Sequence, residues 1–334
     1  MYHISGQEAI KIESVNFSDL QMKEKDVEEI LRNKVEMLCG DEEALLIVGR
    51  QVRNDRNGIS DLVAIDQNGD LILIEIKRDR KDIEQRVEPF EFQAIRYAAA
   101  YARISDIDKL VTNVYAPYIE KHFNESELNG LTSHEFGLRK LRSFLADNGA
   151  VNSFNQMQKI ILVASDYDPQ TLSAVAWLNN NGVNISCFKL VTYKVDDKLI
   201  IYPEKVLPLP KYEDYYVNVK ERSTTSSSPF ISNISSLQNN RKSFPKIREM
   251  LSWGVVKPGD IIKPVNKATE IYDVEAVLCQ DGNVEVDGEI MSMQVWLQKL
   301  YGWSSVPVYV QAIHKESGKT LAVIREEYMR EHNL

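Results

Sequence analysis

The sequence has little that would bind a soft metal or close a disulfide framework. Its three cysteines, Cys39, Cys187 and Cys279, stand far apart and match neither a zinc-ligand nor a CxxC spacing. No apolar run approaches the roughly 20 residues a bilayer-spanning helix needs. Residues 1–6 lack the basic segment and apolar stretch of a secretory leader. There is no GxSxG nucleophile elbow and no Walker-type GxxxxGK[ST] loop, which leaves serine hydrolases and P-loop ATPases without a foothold. The histidines (His3, His122, His134, His314, His332) are dispersed and form no i,i+4 ligand pair. Positive charge is also short: 40 Lys and Arg face 49 Asp and Glu, a net charge of −9. That excludes a broadly basic nucleic-acid coat. It does not exclude a nucleic-acid enzyme, because a hard-metal site is itself rich in carboxylates. The absences together predict a cytoplasmic, reduced protein that makes no membrane contact.

What is present divides into two folded parts. The chain has 334 residues, enough for two domains. From Ser223 to Asn240 no residue is charged, and serine, threonine and asparagine dominate. Such a run buries too little apolar surface to offset its ordering entropy. The sequence therefore predicts an α/β domain over 1–216, a flexible Ser-rich linker over 217–242, and a small α+β module over 243–334 that moves independently of the first. In the first part a helix is expected over Lys25–Leu38, with Val27, Ile30, Leu31 and Leu38 on one side. Strands are expected at Leu45–Val48, Leu62–Ile65, Leu71–Lys77, Ile160–Ala164, Asn184–Leu190 and Lys198–Tyr202. Further helices are expected after Pro89, near Glu135–Ala146 and after Pro169. Asp168-Pro169 reads as a helix N-cap, not as half of a second metal pair with Asp166. In the second part the pattern predicts a helix over Lys246–Trp253, a hairpin across Gln280-Asp281-Gly282, a helix over Met291–Tyr301, and a second hairpin pairing Val306–Ile313 with Thr320–Ile324. Trp253, Trp296 and Trp303 are expected mostly in the core.

The stretch that carries chemistry is Ile59 to Lys77. With a three-residue turn Gln67-Asn68-Gly69, Ile65 pairs with Leu71, Val63 with Leu73, and Asp61 with Glu75. Directly opposite residues have Cβ atoms about 4.5–5.5 Å apart. Two carboxylates at that separation repel unless a cation lies between them or one is protonated. Lys77 shares the face of Glu75, about 6.6 Å along the strand. A two-residue turn would instead set Asp61 against Ile76 and dissolve the group. Turn chemistry alone leaves both registers open, and it leaves open that the three are the solvated face of an edge hairpin. Against the latter, Leu71 to Ile76 is apolar at every position but Glu75.

Asp61 followed by Glu75-Ile76-Lys77 resembles the core motif of the PD-(D/E)xK nuclease superfamily, with Ser60 in place of the motif's proline. The resemblance covers roughly residues 20–210. It implies a restriction-endonuclease-like mixed sheet flanked by helices and a Mg²⁺- or Mn²⁺-dependent nuclease acting on DNA in restriction or anti-phage defence. In that reading Asp61 and Glu75 bind the metal and Lys77 assists. An upstream helix often supplies another acid in this superfamily; Glu28 flanks the apolar stripe and Glu29 lies opposite, so Glu28 is the candidate. Gln93, one turn before Tyr97, is similar to the glutamine motif of archaeal NucS-type nucleases. Arg50, Arg53 and Arg56 before the hairpin and Arg78, Arg80 and Lys81 after it offer a local phosphate track, or an ordinary solvated loop.

Downstream, Gly254 to Asp260, Tyr272 to Gly288 and the segment carrying Trp296 resemble the restriction enzyme and adenine methylase associated (RAMA) domain. That likeness implies a DNA-sensing module, with a dimerisation or protein-interaction module as the alternative. The rival to the whole assignment is a non-cleaving nucleic-acid-binding or scaffold protein on a nuclease-derived fold. A homodimer and defence-system partner proteins are compatible with either.

Overall fold

Alternating short apolar runs and amphipathic segments build a mixed sheet covered by helices, seen in a computed structural model that describes residues 1–54, 58–208, 244–267 and 270–332. The Ser223–Asn240 run and Arg56 lie outside the described residues. In chain order the first part comprises β1 (Tyr2–Ser5), β2 (Glu8–Lys11), β3 (Ser14–Val15), α1 (Glu24–Asn33), α2 (Glu36–Cys39), β4 (Leu45–Arg53), β5 (Ile59–Asp66) and β6 (Leu71–Ile76). It continues with α3 (Arg80–Glu84), α4 (Phe90–Tyr101), α5 (Ile107–Leu110), α6 (Ala116–His122), α7 (Glu125–Leu128), α8 (Ser133–Asp147), β7 (Gln158–Ala164), α9 (Pro169–Asn180), β8 (Ile185–Val195) and β9 (Lys198–Leu207). Strands run in the order β4-β5-β6-β7-β8-β9, with β3 pairing the far end of β8. The β4–β5–β6 meander is antiparallel, β6, β7 and β8 are parallel, and β9 returns antiparallel.

The hairpin adopts the three-residue turn. Ile65 pairs with Leu71 and the ladder runs to Leu62 opposite Ile74, so Asp61 follows opposite Glu75. Gly69 holds φ at +85°, and a side chain there would also press on the backbone of Ala150, Ser153 and Phe154. Every residue of β6 is buried, as expected of a strand covered on both faces. The predicted single helix over Lys25–Leu38 is broken: Lys34 leaves helical geometry at φ −140°, and the chain restarts as α2 so that Val35 and Leu38 both bury. Asp168 caps α9, its Oδ1 accepting from the N–H groups of Gln170 and Thr171 at 2.8 and 3.0 Å.

The second part contains α10 (Ile247–Ser252), β10 (Ile261–Pro264), β11 (Ala276–Leu278), β12 (Val284–Val286), β13 (Glu289–Met291), α11 (Met293–Tyr301), α12 (Val308–Gln311), β14 (Ala312–His314), β15 (Lys319–Thr320) and α13 (Leu321–His332). Its sheet has the order β13-β12-β11-β10-β14-β15. The hairpin across Gly282 is present between β11 and β12. The second predicted hairpin shrinks to β14 and β15, because Val308–Gln311 and Leu321 onward are helical. Trp296 and Trp303 are buried, while Trp253 is half-buried and stacks on Tyr328 at 4.5 Å.

The second part lies against the first and closes one of its edges. Leu45 in edge strand β4 exchanges backbone hydrogen bonds with Ser304 and Ser305, and Ser304 Oγ accepts from Ile47 N–H at 2.9 Å. Arg325, 2% exposed, reaches Glu42 at 2.8 Å between the rings of Phe244 and Tyr309. The Trp303 ring meets Phe144 of α8 edge-on at 5.1 Å. An open strand edge is a template for pairing with other chains, and this cover removes part of it.

Candidate active site

The antiparallel register delivers Asp61 near the start of β5 and Glu75 near the end of β6 to one end of the sheet, and α1 crosses that end. Asp61 is 5% exposed, Glu75 0%, Lys77 5% and Glu28 3%. Asp61 does more than face Glu75. Its Oδ2 accepts the Ile76 N–H at 2.8 Å, so the side chain takes over where the ladder stops. Carboxylate oxygens of Glu24, Glu28 and Asp61 lie within 4.8 Å of one another. Glu24 was not singled out in the sequence. It sits at i−4 from Glu28 on α1, and that spacing, which puts two acids on one helix face, was the available signal.

Gln51 is a second residue that sequence reasoning missed. It lies across from Asp61 on β4, between the pairs Arg50–Leu62 and Val52–Ser60. Its amide nitrogen donates to Glu28 at 2.8 Å and to Asp61 at 3.2 Å, and its φ is +50°. A non-glycine residue in the left-handed region is strained, and here the strain accompanies a bridge between two acids. Nothing in the residue pattern announces that backbone angle.

Lys77 is fixed by its neighbours. Its Nζ donates to the Ile76 carbonyl at 2.6 Å and to Glu24 at 3.1 Å, above the Phe90 ring at 5.5 Å. Glu75 is the contrast. Neither of its oxygens has a hydrogen-bond partner among the described residues, and both are out of contact with solvent. Burial raises its pKa well above the carboxylate range and the Asp61 charge raises it further, while Lys77, the backbone N–H of Asp61 and Arg86 work in the opposite sense. Asp61 is raised by the same desolvation, opposed by Lys77 and the Ile76 N–H.

Helix α4 packs over this end of the sheet and places Gln93 and Tyr97 on its buried face. Gln93 donates to the Tyr97 hydroxyl at 3.2 Å, and its own side-chain oxygen is buried without a partner among the described residues. The Tyr97 hydroxyl in turn accepts the Ile59 N–H at the start of β5. The basic positions divide. Arg50 pairs with Glu28 and Glu29, Arg78 with Asp82, and Arg80 with Glu84, so three of the proposed phosphate contacts are spoken for within the chain. Arg53 and Lys81 are exposed.

The buried set fits a hard divalent cation. The donors are oxygens, three acids converge, and a fourth carboxylate beside them makes no hydrogen bond among the described residues. Arg86, also missed in the sequence, lines the adjoining cleft with Lys23, Glu24, Lys77, Arg78, Asp82 and Gln85. No protein family, curated protein or solved structure gives a significant match to this chain.

Proposed function

We propose that the protein is a metal-dependent nuclease that hydrolyses phosphodiester bonds in DNA, the C-terminal part serving recognition in restriction or anti-phage defence. The observation that carries this reading is the convergence of Glu24, Glu28 and Asp61 beside Lys77 and the unpartnered Glu75. A structural salt-bridge cluster would have satisfied Glu75. Asp61, Glu28 and Glu24, with Glu75 behind them, would hold Mg²⁺ or Mn²⁺. Such a cation, when bound, draws charge from a phosphodiester and lowers the pKa of water.

The chain's own contribution is positioning. An ammonium has three N–H donors. Lys77 spends one on the Ile76 carbonyl and one on Glu24. The third is left for a phosphate oxygen, on an arm that the rest of the site holds still. Gln51 fixes Glu28 relative to Asp61, which keeps two repelling acids at a set separation. Tyr97 and Gln93 anchor the start of β5 from above.

The test is a cleavage panel on full-length protein with single-stranded, duplex, branched and methylated DNA, and RNA alongside, with Mg²⁺, Mn²⁺ or EDTA. Divalent-dependent cutting is expected, and Glu75→Ala and Lys77→Ala should each abolish it while remaining folded by circular dichroism. Wild-type protein that binds DNA but cuts nothing would favour the non-cleaving scaffold.

A further inference from the structure

The cleft beside the carboxylates has three walls: Lys23 and Glu24 at the start of α1, Lys77 and Arg78 after β6, and Asp82, Gln85 and Arg86 in α3 and the turn behind it. It is open to solvent, with a volume of about 470 Å³. Cations outnumber acids among these residues, and the acids are engaged. Glu24 accepts from Lys77, and Asp82 takes Arg78 at 3.1 and 3.2 Å.

Arg86 behaves differently from Arg78. Its Nη1 is shut off from solvent and has no hydrogen-bond partner among the described residues. Arg86 thus brings an unpaired guanidinium N–H to a cleft in which cations outnumber acids. Leaving a buried polar group unpaired costs about 1–3 kcal/mol, and more for a charged one. A buried guanidinium nitrogen left unpaired in a cationic cleft points to an anionic ligand. The complement of a guanidinium N–H is an oxyanion, and the pairing is strongest with carboxylate or phosphate.

We infer that Arg86 binds one phosphate of the nucleic-acid strand presented to Asp61 and Glu75, with Lys77 and Lys23 on the same track. This rests on the nuclease reading for the ligand's identity. A cleft of this volume lies in the ordinary range for small ligands, roughly 300–1,000 Å³, and takes a nucleotide-sized piece of one strand. Arg86 is then the residue that tells a charged linkage from a neutral one.

The experiment measures binding and not turnover. Fluorescence anisotropy follows a short labelled single strand and its duplex on full-length wild type, Arg86→Ala and Arg86→Lys in EDTA over a salt series. Arg86→Ala should lose about ten-fold in affinity, and its plot of log K against log salt should flatten by about one phosphate contact. Arg86→Lys should keep the slope and recover part of the affinity. Moving a single neutral methylphosphonate linkage along the strand should find one position that weakens wild type and leaves Arg86→Ala unchanged. Equal affinity and slope in Arg86→Ala, or a neutral linkage that penalises both proteins alike, overturns the inference. If Arg86→Ala does not fold, Arg86→Lys and the linkage scan decide: a scan with no sensitive position overturns it. Wild type that binds through Arg86 and cuts nothing keeps this inference and removes the nuclease reading. Wild type that cuts, with Arg86→Ala binding and cutting equally, does the reverse. A wild type that binds no nucleic acid at all overturns it.

Discussion

At Glu75 the carboxyl is fully buried and makes no hydrogen bond among the described residues, so desolvation outweighs its neighbours and it folds most easily as the neutral acid. Its folded pKa lies above its unfolded one, and the sign of the pH dependence follows. The group's contribution to stability is complete below the unfolded pKa and is lost as pH rises through the folded one. Glu75→Gln removes that dependence. In metal-free buffer the variant should therefore gain on wild type between about pH 5 and pH 8, by at most about 1.4 kcal/mol per pH unit. Urea melts of the two proteins at several pH values check this; a constant difference would show that Glu75 ionises freely. Asp61, Glu75 and Lys77 were legible because β-pairing converts a count of residues into a distance. Gln51 and Arg86 were not, since one depends on a backbone angle and the other on a turn after a five-residue helix.

Among the elements, α1 matters most to the site, because one face of it supplies two acids a turn apart. Glu24→Gln and Glu28→Gln should each weaken Mn²⁺ binding, measured calorimetrically, by at least the roughly ten-fold that loss of an outer-shell partner costs. The helix should persist in both, as glutamine and glutamate have similar helix propensity. Glu29→Gln is the control: it serves Arg32 and Arg50 on the helix flank and should leave metal affinity near wild type. The errors in reading the C-terminal elements have one origin. Val308-Tyr309-Val310 and Leu321-Ala322-Val323-Ile324 are short apolar runs, which periodicity cannot assign to strand or helix. Pro307 before the first run and the twelve-residue length of α13 are helix signals that the β-branched composition outweighed.

For the whole molecule, the cover that Ser304 and Ser305 form over β4 alters what truncation should do. Charge and composition suggested that residues 1–216 would stand alone, but such a fragment bares the Leu45 edge and strips Glu42 of Arg325. We expect it to melt below the full-length protein and to aggregate with rising concentration, as light scattering would show. Arg325→Ala in the intact chain should cost ~2 kcal/mol, because Glu42 is only partly buried and regains some water. A fragment as stable and monodisperse as the full chain would mean that the contact is incidental. The fold class was legible from alternating strands and helices; the interface was not, because its anchors are a pair of serines and one arginine with no distinguishing pattern.

The same cover has a consequence in time. Leu45 leaves the ribosome about 260 residues before Ser304, which at ~5–20 residues per second is roughly 13–50 s of translation. Throughout that interval the nascent sheet carries an uncapped margin, and a segment made much later is its clasp. A chain that stops early never receives the clasp. Unfinished copies are therefore expected to expose this edge to chaperones and proteases for longer than finished ones.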